Sequence, residues 1–177
     1  MYVPVAIQWL LLAARYRSLS LPLIANPGIP LSGMVGVSKS AVFDLAGDYA
    51  CQWILPWILV EVEDQSLQRQ CQMAKQALTA AGLEYPLVGK PNMGCRGVGV
   101  RLLKDDAELA DYLQGFPVGG CIQFQKLSQW DAEAGVFYVR DPDKATGEVT
   151  SLTLKYTPFV VGDGERQLAE LVAADAR

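Results

Sequence analysis

The chain reads as an α+β protein: an antiparallel sheet with helices beside it, preceded by a short α/β N-terminal segment. Two observations predict this class. Leu67, Cys71, Ala74, Leu78 and Ala81 recur on one helical face over 66–81, and Gly82 supplies the stop. After that helix the pattern changes to short apolar runs of strand length, punctuated by turn residues and broken by one short helix.

Taken in order, residues 2–17 predict a helix, with Ile7, Leu10, Leu11 and Ala14 at helical spacing. Residues 18–40 read as loop, because three prolines and three glycines break any period. A loop of that length in a compact domain is often functional. Ile58–Asp64 reads as a strand that turns polar at its end, and 66–81 is the clearest helix. Then follow a strand (86–90), a glycine loop (91–97), a strand (98–103) and a helix (105–114) that Asp105 is placed to cap and Gly115 to end. Strands over 120–126, 134–140 and 149–156 come next, the last two joined by the turn-rich Asp141–Glu148. A last helix begins in "GDGERQLAELVAAD", with Leu168, Leu171 and Val172 on one face. The change of pattern places a boundary near 83–86, giving a segment 1–84 and an α+β part 85–177.

Composition narrows the chemistry. With 177 residues, 51% hydrophobic and 19% charged, the chain can bury a sizeable core. A net charge of -4 argues against a nucleic-acid partner, because phosphate backbones recruit basic surfaces. There is no histidine, which removes imidazole bases, imidazole metal ligands and His-assisted nucleophiles. Cys51, Cys71, Cys95 and Cys121 fit no zinc or redox spacing and read as reduced thiols. No segment has the ~18 apolar residues of a membrane span, and no cationic stretch precedes the apolar start as a secretion signal requires. A cytoplasmic location is the expectation.

The stretch "YPLVGKPNMGCRGVGVRLL" (Tyr85–Leu103) sets Lys90, Arg96 and the three glycines Gly94, Gly97 and Gly99 among apolar residues. Glycine lets backbone N–H groups approach a phosphate, a lysine adds a point charge and an arginine a planar fork. The spacing is neither GxxxxGK[ST] nor GxGxxG; Gly94, Gly97 and Gly99 run GxxGxG, after the lysine. A plain hairpin turn with surface cations is the other reading of that spacing. Lys90 ends an apolar strand, so a rigid element carries it, and 98–103 is expected to return antiparallel over it.

These residues, followed by "IQFQKL" and "EAGVFY", resemble the ATP-grasp superfamily, the carboxylate–amine ligases related to D-alanine–D-alanine ligase. "ANPGIPLSGMVGVSK" and "LTLKYTPFVVGDG" are similar to a less characterised branch of the same superfamily. The resemblance runs from about residue 9 to 177. It implies that the second half is the nucleotide lid of an ATP-grasp fold. It also implies that Lys90 contacts the nucleotide phosphates and that Gly94, Arg96 and Gly97 cover them. Gln125, Lys126 and Leu127 stand where an interdomain strand meets adenine, with Gln125 in place of the family's glutamate. Glu133 matches the carboxylate that holds the ribose hydroxyls. Lys39, in "GVSKS", stands where a second phosphate-binding lysine is expected; an exposed loop cation is its other reading. The branch has glutamate where this chain has Val37. Gly162–Gly164 is expected to open a helix whose N–H groups face an anion, or to cap it plainly through Asp163, with Glu165 and Arg166 replacing small hydroxyl residues.

The chemistry implied is transfer of the γ-phosphoryl group of ATP to a carboxylate, giving an acyl phosphate that an amine or thiol attacks. Mg²⁺ assists it, held by an acidic residue and a Glu-x-Asn pair in a further C-terminal domain. No Glu-x-Asn pair occurs in the sequence; Asp141, Asp143 and Glu148 read as a solvated hairpin connection. The chain is therefore expected to be a C-terminally truncated member, inactive alone, with its magnesium ligands outside it. A non-catalytic module that keeps the lid fold and binds another anion or a protein is the alternative. The carboxylate and amine substrates stay unnamed, and a homodimer through an exposed strand edge stays open.

Overall fold

In the computed structural model, residues 2–34, 36–156 and 159–175 are described. Val35, Thr157 and Pro158, which fall within the two branch-like stretches, lie outside them. The chain divides into two compact units, Met1–Leu127 and Ser128–Arg177. The boundary expected near 83–86 lies inside the first unit, because a strand from before it is hydrogen-bonded into a sheet whose other strands come after it.

That sheet has the order β1-β4-β2-β3, all antiparallel: β1 (Trp57–Glu61), β2 (Leu87–Pro91), β3 (Arg101–Leu103) and β4 (Cys121–Lys126). Antiparallel pairing puts directly opposed residues on one face. Ile58, Val60, Leu87, Leu103, Ile122 and Phe124 therefore share a face. They form the core with α4 (Leu67–Ala80) and α5 (Asp106–Gln114), where Ala74, Leu78, Leu109, Tyr112 and Leu113 are buried. Each such large side chain contributes about 1.5–3 kcal/mol by leaving water. Gly89 sits where this packing is tightest: a Cβ there would meet Tyr112 Cε1 at 2.7 Å.

Both helices start at a side-chain cap, and that of α5 is the expected Asp105. Ser66 accepts from Arg69 N, and Asp105 accepts from Ala107 N and Glu108 N at 2.9 Å. The strand expected over 98–103 is shorter, because Gly97 and Gly99 take φ of 75° and 73° and keep the chain turning until Arg101.

α1 (Val3–Tyr16) forms as expected, but the face carrying Ile7, Leu10 and Leu11 is exposed. The helix instead leans on the chain that follows it. Ala13 is buried, and Trp9 Nε1 donates to Leu19 O at 3.1 Å. The 18–40 stretch holds two 3-10 turns, Leu21–Ile24 and Pro30–Gly33, and then α2 (Lys39–Phe43) and α3 (Asp48–Cys51) lead into β1.

The second unit is a two-stranded ribbon, β5 (Glu133–Val139) with β6 (Glu148–Lys155), followed by α6 (Leu168–Ala174). Asp163 does not cap α6. Its carboxylate accepts from Glu165 N and Arg166 N in a turn ahead of the helix, and Gln167 is the cap. The four cysteines are free thiols. Among the described residues no helix is long and apolar enough to cross a membrane.

Candidate functional site

The face of the sheet opposite the helices carries different chemistry. Alternation along the strands puts Trp57, Leu59, Val88, Lys90, Gln123 and Gln125 there. Lys90 is the residue before the end of β2, directly across from Gln123 and diagonal to Gln125. Its ammonium donates to Gln125 Oε1 at 2.6 Å and stands 5.9 Å from the centroid of the Phe43 ring. The Gln125 amide is oriented at both ends, since its Nε2 donates to Leu55 O at 2.8 Å. Phe43 in turn packs on Trp57 with ring centroids 5.5 Å apart.

Burial, and then the neighbouring charge of Lys39, push the Lys90 pKa below its ordinary value. A carboxylate at position 125 would neutralise that ammonium. The glutamine solvates it as a dipole and leaves the charge uncompensated.

Beyond Lys90 the chain enters the glycine loop. Asn92 is buried at its base. Asn92 N donates to Cys121 O at 2.9 Å, its Oδ1 accepts from Ser40 N at 3.0 Å, and its Nδ2 donates to Ser40 Oγ at 3.0 Å. Lys39 Nζ donates to Pro91 O at 2.7 Å and reaches Asn92 O at 3.5 Å and Gly94 O at 3.3 Å. The return of the loop is held from the other side, where Tyr112 Oη donates to Gly99 O at 2.7 Å. Burial raises the Tyr112 pKa to about 12, so the phenol keeps the proton it donates.

Between these anchors the loop is exposed, and Arg96 adopts φ 56°, the left-handed region. Two turns shape it, Val98 N to Cys95 O at 3.2 Å and Val100 N to Gly97 O at 3.1 Å. Among the described residues, the N–H groups of Met93, Gly94, Cys95, Arg96 and Gly97 find no partner, nor does the Arg96 guanidinium. Successive free N–H groups in a loop that visits the left-handed region form a concavity suited to anions.

Lys90 and Gln125 thus share a hydrogen bond, Lys39 stands near Lys90 and holds the Gly94 carbonyl, and Arg96 and Gly97 lie in the exposed part of the same loop, within the same unit. Lys126 is the last residue of β4, its N–H donating to Pro56 O at 3.0 Å, and Leu127 follows it. Glu133 belongs to the ribbon, where its carboxylate accepts from Lys155 at 2.5 Å across the strand pair.

Asn92, Phe43 and Tyr112 were not singled out by sequence, and Gln123 only as the first residue of the Gln123–Leu127 stretch matched to the adenine strand. Asn92 follows a Lys-Pro pair among turn residues, where a buried asparagine and an exposed one look alike. Gln123 is fully buried, and among the described residues neither of its amide atoms has a hydrogen-bond partner. Comparison with known protein families, with curated proteins and with solved structures found no match for the chain.

Proposed function

We propose that this chain is the ATP-binding portion of an ATP-grasp ligase, with the β2–loop–β3 hairpin and β4 as its nucleotide lid. The observation that carries the reading is Lys90: a partly buried ammonium on a rigid strand, uncompensated, beside a loop of free N–H groups. An anion there would raise the Lys90 pKa back toward its ordinary value and take the loop donors at once. The triphosphate of ATP supplies enough oxygens for Lys90, Arg96 and the Gly94–Gly97 backbone together; β4 is paired on both sides at Gln125, so Leu127, past the strand's end, is the part of Gln125–Leu127 left for the base. In such a ligase the nucleotide activates a carboxylate as an acyl phosphate for attack by an amine or thiol.

The described residues contain no cluster of three or more His, Cys, Asp or Glu side chains suited to a metal ion. The donor set for Mg²⁺ does not fit here, so the proposal gives magnesium no ligand among them.

Lys90→Ala is expected to weaken ATP binding by about 1.5–3 kcal/mol, the worth of a hydrogen bond to a charged group. Calorimetry on the two proteins checks this; equal affinities remove Lys90 from the site. The second reading, a non-catalytic anion-binding module, draws on Gln125 and Val37, both standing where the family pattern has glutamate. Tripolyphosphate binding as tightly as ATP favours that reading, because an adenine contact would then contribute nothing.

A further inference from the structure

We infer that Lys39 is a positioning residue that shapes the glycine loop from beneath, and that its hydrogen bonds go to the loop's carbonyls and not to a bound polyphosphate. This deepens the nucleotide reading and rests on it for the identity of the ligand. An ammonium has three donors and no acceptor. Those of Lys39 are directed at the carbonyls of Pro91, Asn92 and Gly94, at 2.7, 3.5 and 3.3 Å. No donor is left for a phosphate oxygen.

The peptide plane makes this arrangement useful. In a trans peptide the N–H points opposite to the C=O. With the carbonyls of Asn92 and Gly94 drawn toward Lys39, the N–H groups of Met93 and Cys95 point away from it. Both belong to the run of N–H groups without a partner. The cation thus turns two carbonyl oxygens, which would repel an anion, away from the space in front of the loop, and turns two donors into it.

The base of this arrangement is rigid. Lys39 N donates to Asn92 O at 2.9 Å, and the reciprocal bonds between Ser40 and Asn92 are buried. The same short helix, α2, ends in Phe43, whose ring stands beside the Lys90 ammonium. One five-residue helix therefore sets both the loop and the strand lysine.

The test uses the full chain and its Lys39→Met variant, with Lys39→Gln as a substitute should the first not fold. Tripolyphosphate is titrated by calorimetry, and amide hydrogen exchange is followed without ligand. Lys39→Met is expected to weaken tripolyphosphate about tenfold, the scale of a donor displaced by a fraction of an ångström. Exchange at 93–98 should quicken about tenfold while the β2 and β4 amides keep their protection. In a variant whose residues 94–98 are replaced by two glycines, Lys39→Met should cost no more than the through-space attraction of its charge, which high salt removes. Unchanged exchange at the loop overturns the inference. So does a loss of affinity that persists at high salt in the shortened loop, because Lys39 would then touch the ligand itself. A wild-type chain that binds neither ATP nor tripolyphosphate sinks the nucleotide reading instead, and the exchange measurement still decides whether Lys39 holds the loop.

Discussion

The four-stranded sheet and the two-stranded ribbon are both built from apolar, β-branched and aromatic residues, yet they bury different amounts. In β4 the consecutive residues Ile122, Gln123 and Phe124 are all fully buried, whereas every residue of β5 and β6 is exposed. Val136, Phe137, Tyr138, Leu152 and Leu154 would each read as a core residue by type alone. The difference is one of layers. β4 has a strand on each side, and α4 and α5 cover one face. A ribbon of two strands has no central strand, and a hairpin alone is marginal in water. The rigid element is also the one that carries Lys90 and the glycine loop, which fits the need of an anion site for donors held in place.

The comparison is sharpened most by truncating one phenylalanine in each region. Phe124→Ala should cost about 3–5 kcal/mol, because it opens a cavity under α5 that the sheet cannot close. Phe137→Ala, in the ribbon, should stay within about 0.5 kcal/mol. Urea unfolding of the two variants measures both. A cost of several kcal/mol at Phe137 would mean that the ribbon's exposed side chains are covered in solution.

A smaller effect tests the other face of β4. Gln123 buries an amide with no partner, a cost of about 1–3 kcal/mol. Gln123→Leu keeps a similar volume and removes both polar atoms, and is expected to stabilise the fold by about 1 kcal/mol. A fall in stability would show that the carboxamide has a partner to lose.

The smallest expected effect is on pH. The Lys90 pKa lies below its unfolded value, chiefly through desolvation. Above the folded pKa the unfolded chain still holds the proton that the folded chain has released. Stability should therefore rise with pH between the folded value and the ordinary lysine value, then level off. Lys90→Met should lose that rise in thermal melts recorded across the alkaline range. Anion binding should run the other way and weaken as Lys90 loses its proton. If melts of wild type and Lys90→Met follow the same alkaline course, the ammonium is not desolvated.

Local chemistry explains why so much of the fold was legible. The Asp105 cap, the Gly82 and Gly115 stops and the short apolar runs of β1, β2 and β4 act over a few residues, so their consequences appear where the pattern puts them. The exposure of the α1 stripe was not legible, because helical spacing shows that a stripe exists and leaves open what covers it. The membership of β1 in the first unit was not legible for a related reason: β1 finds β4 across some sixty positions, a pairing no local signal carries. In the site, Lys90 and the glycines announced themselves by residue type. Asn92 and Phe43 did not, because their roles come from a neighbour distant in sequence.

The sequence by itself determined the α+β class, the order of most elements, and the placing of Lys90 on a strand end beside a glycine loop, since propensity, capping and period-two alternation are properties of short stretches. Only the tertiary structure decided that Lys39 turns its ammonium onto the loop's carbonyls, that Gln125 leaves Lys90 uncompensated, and that β4 is buried while the ribbon is not. Each of these depends on which segments meet, and that is fixed by long-range pairing and by the number of layers the chain assembles.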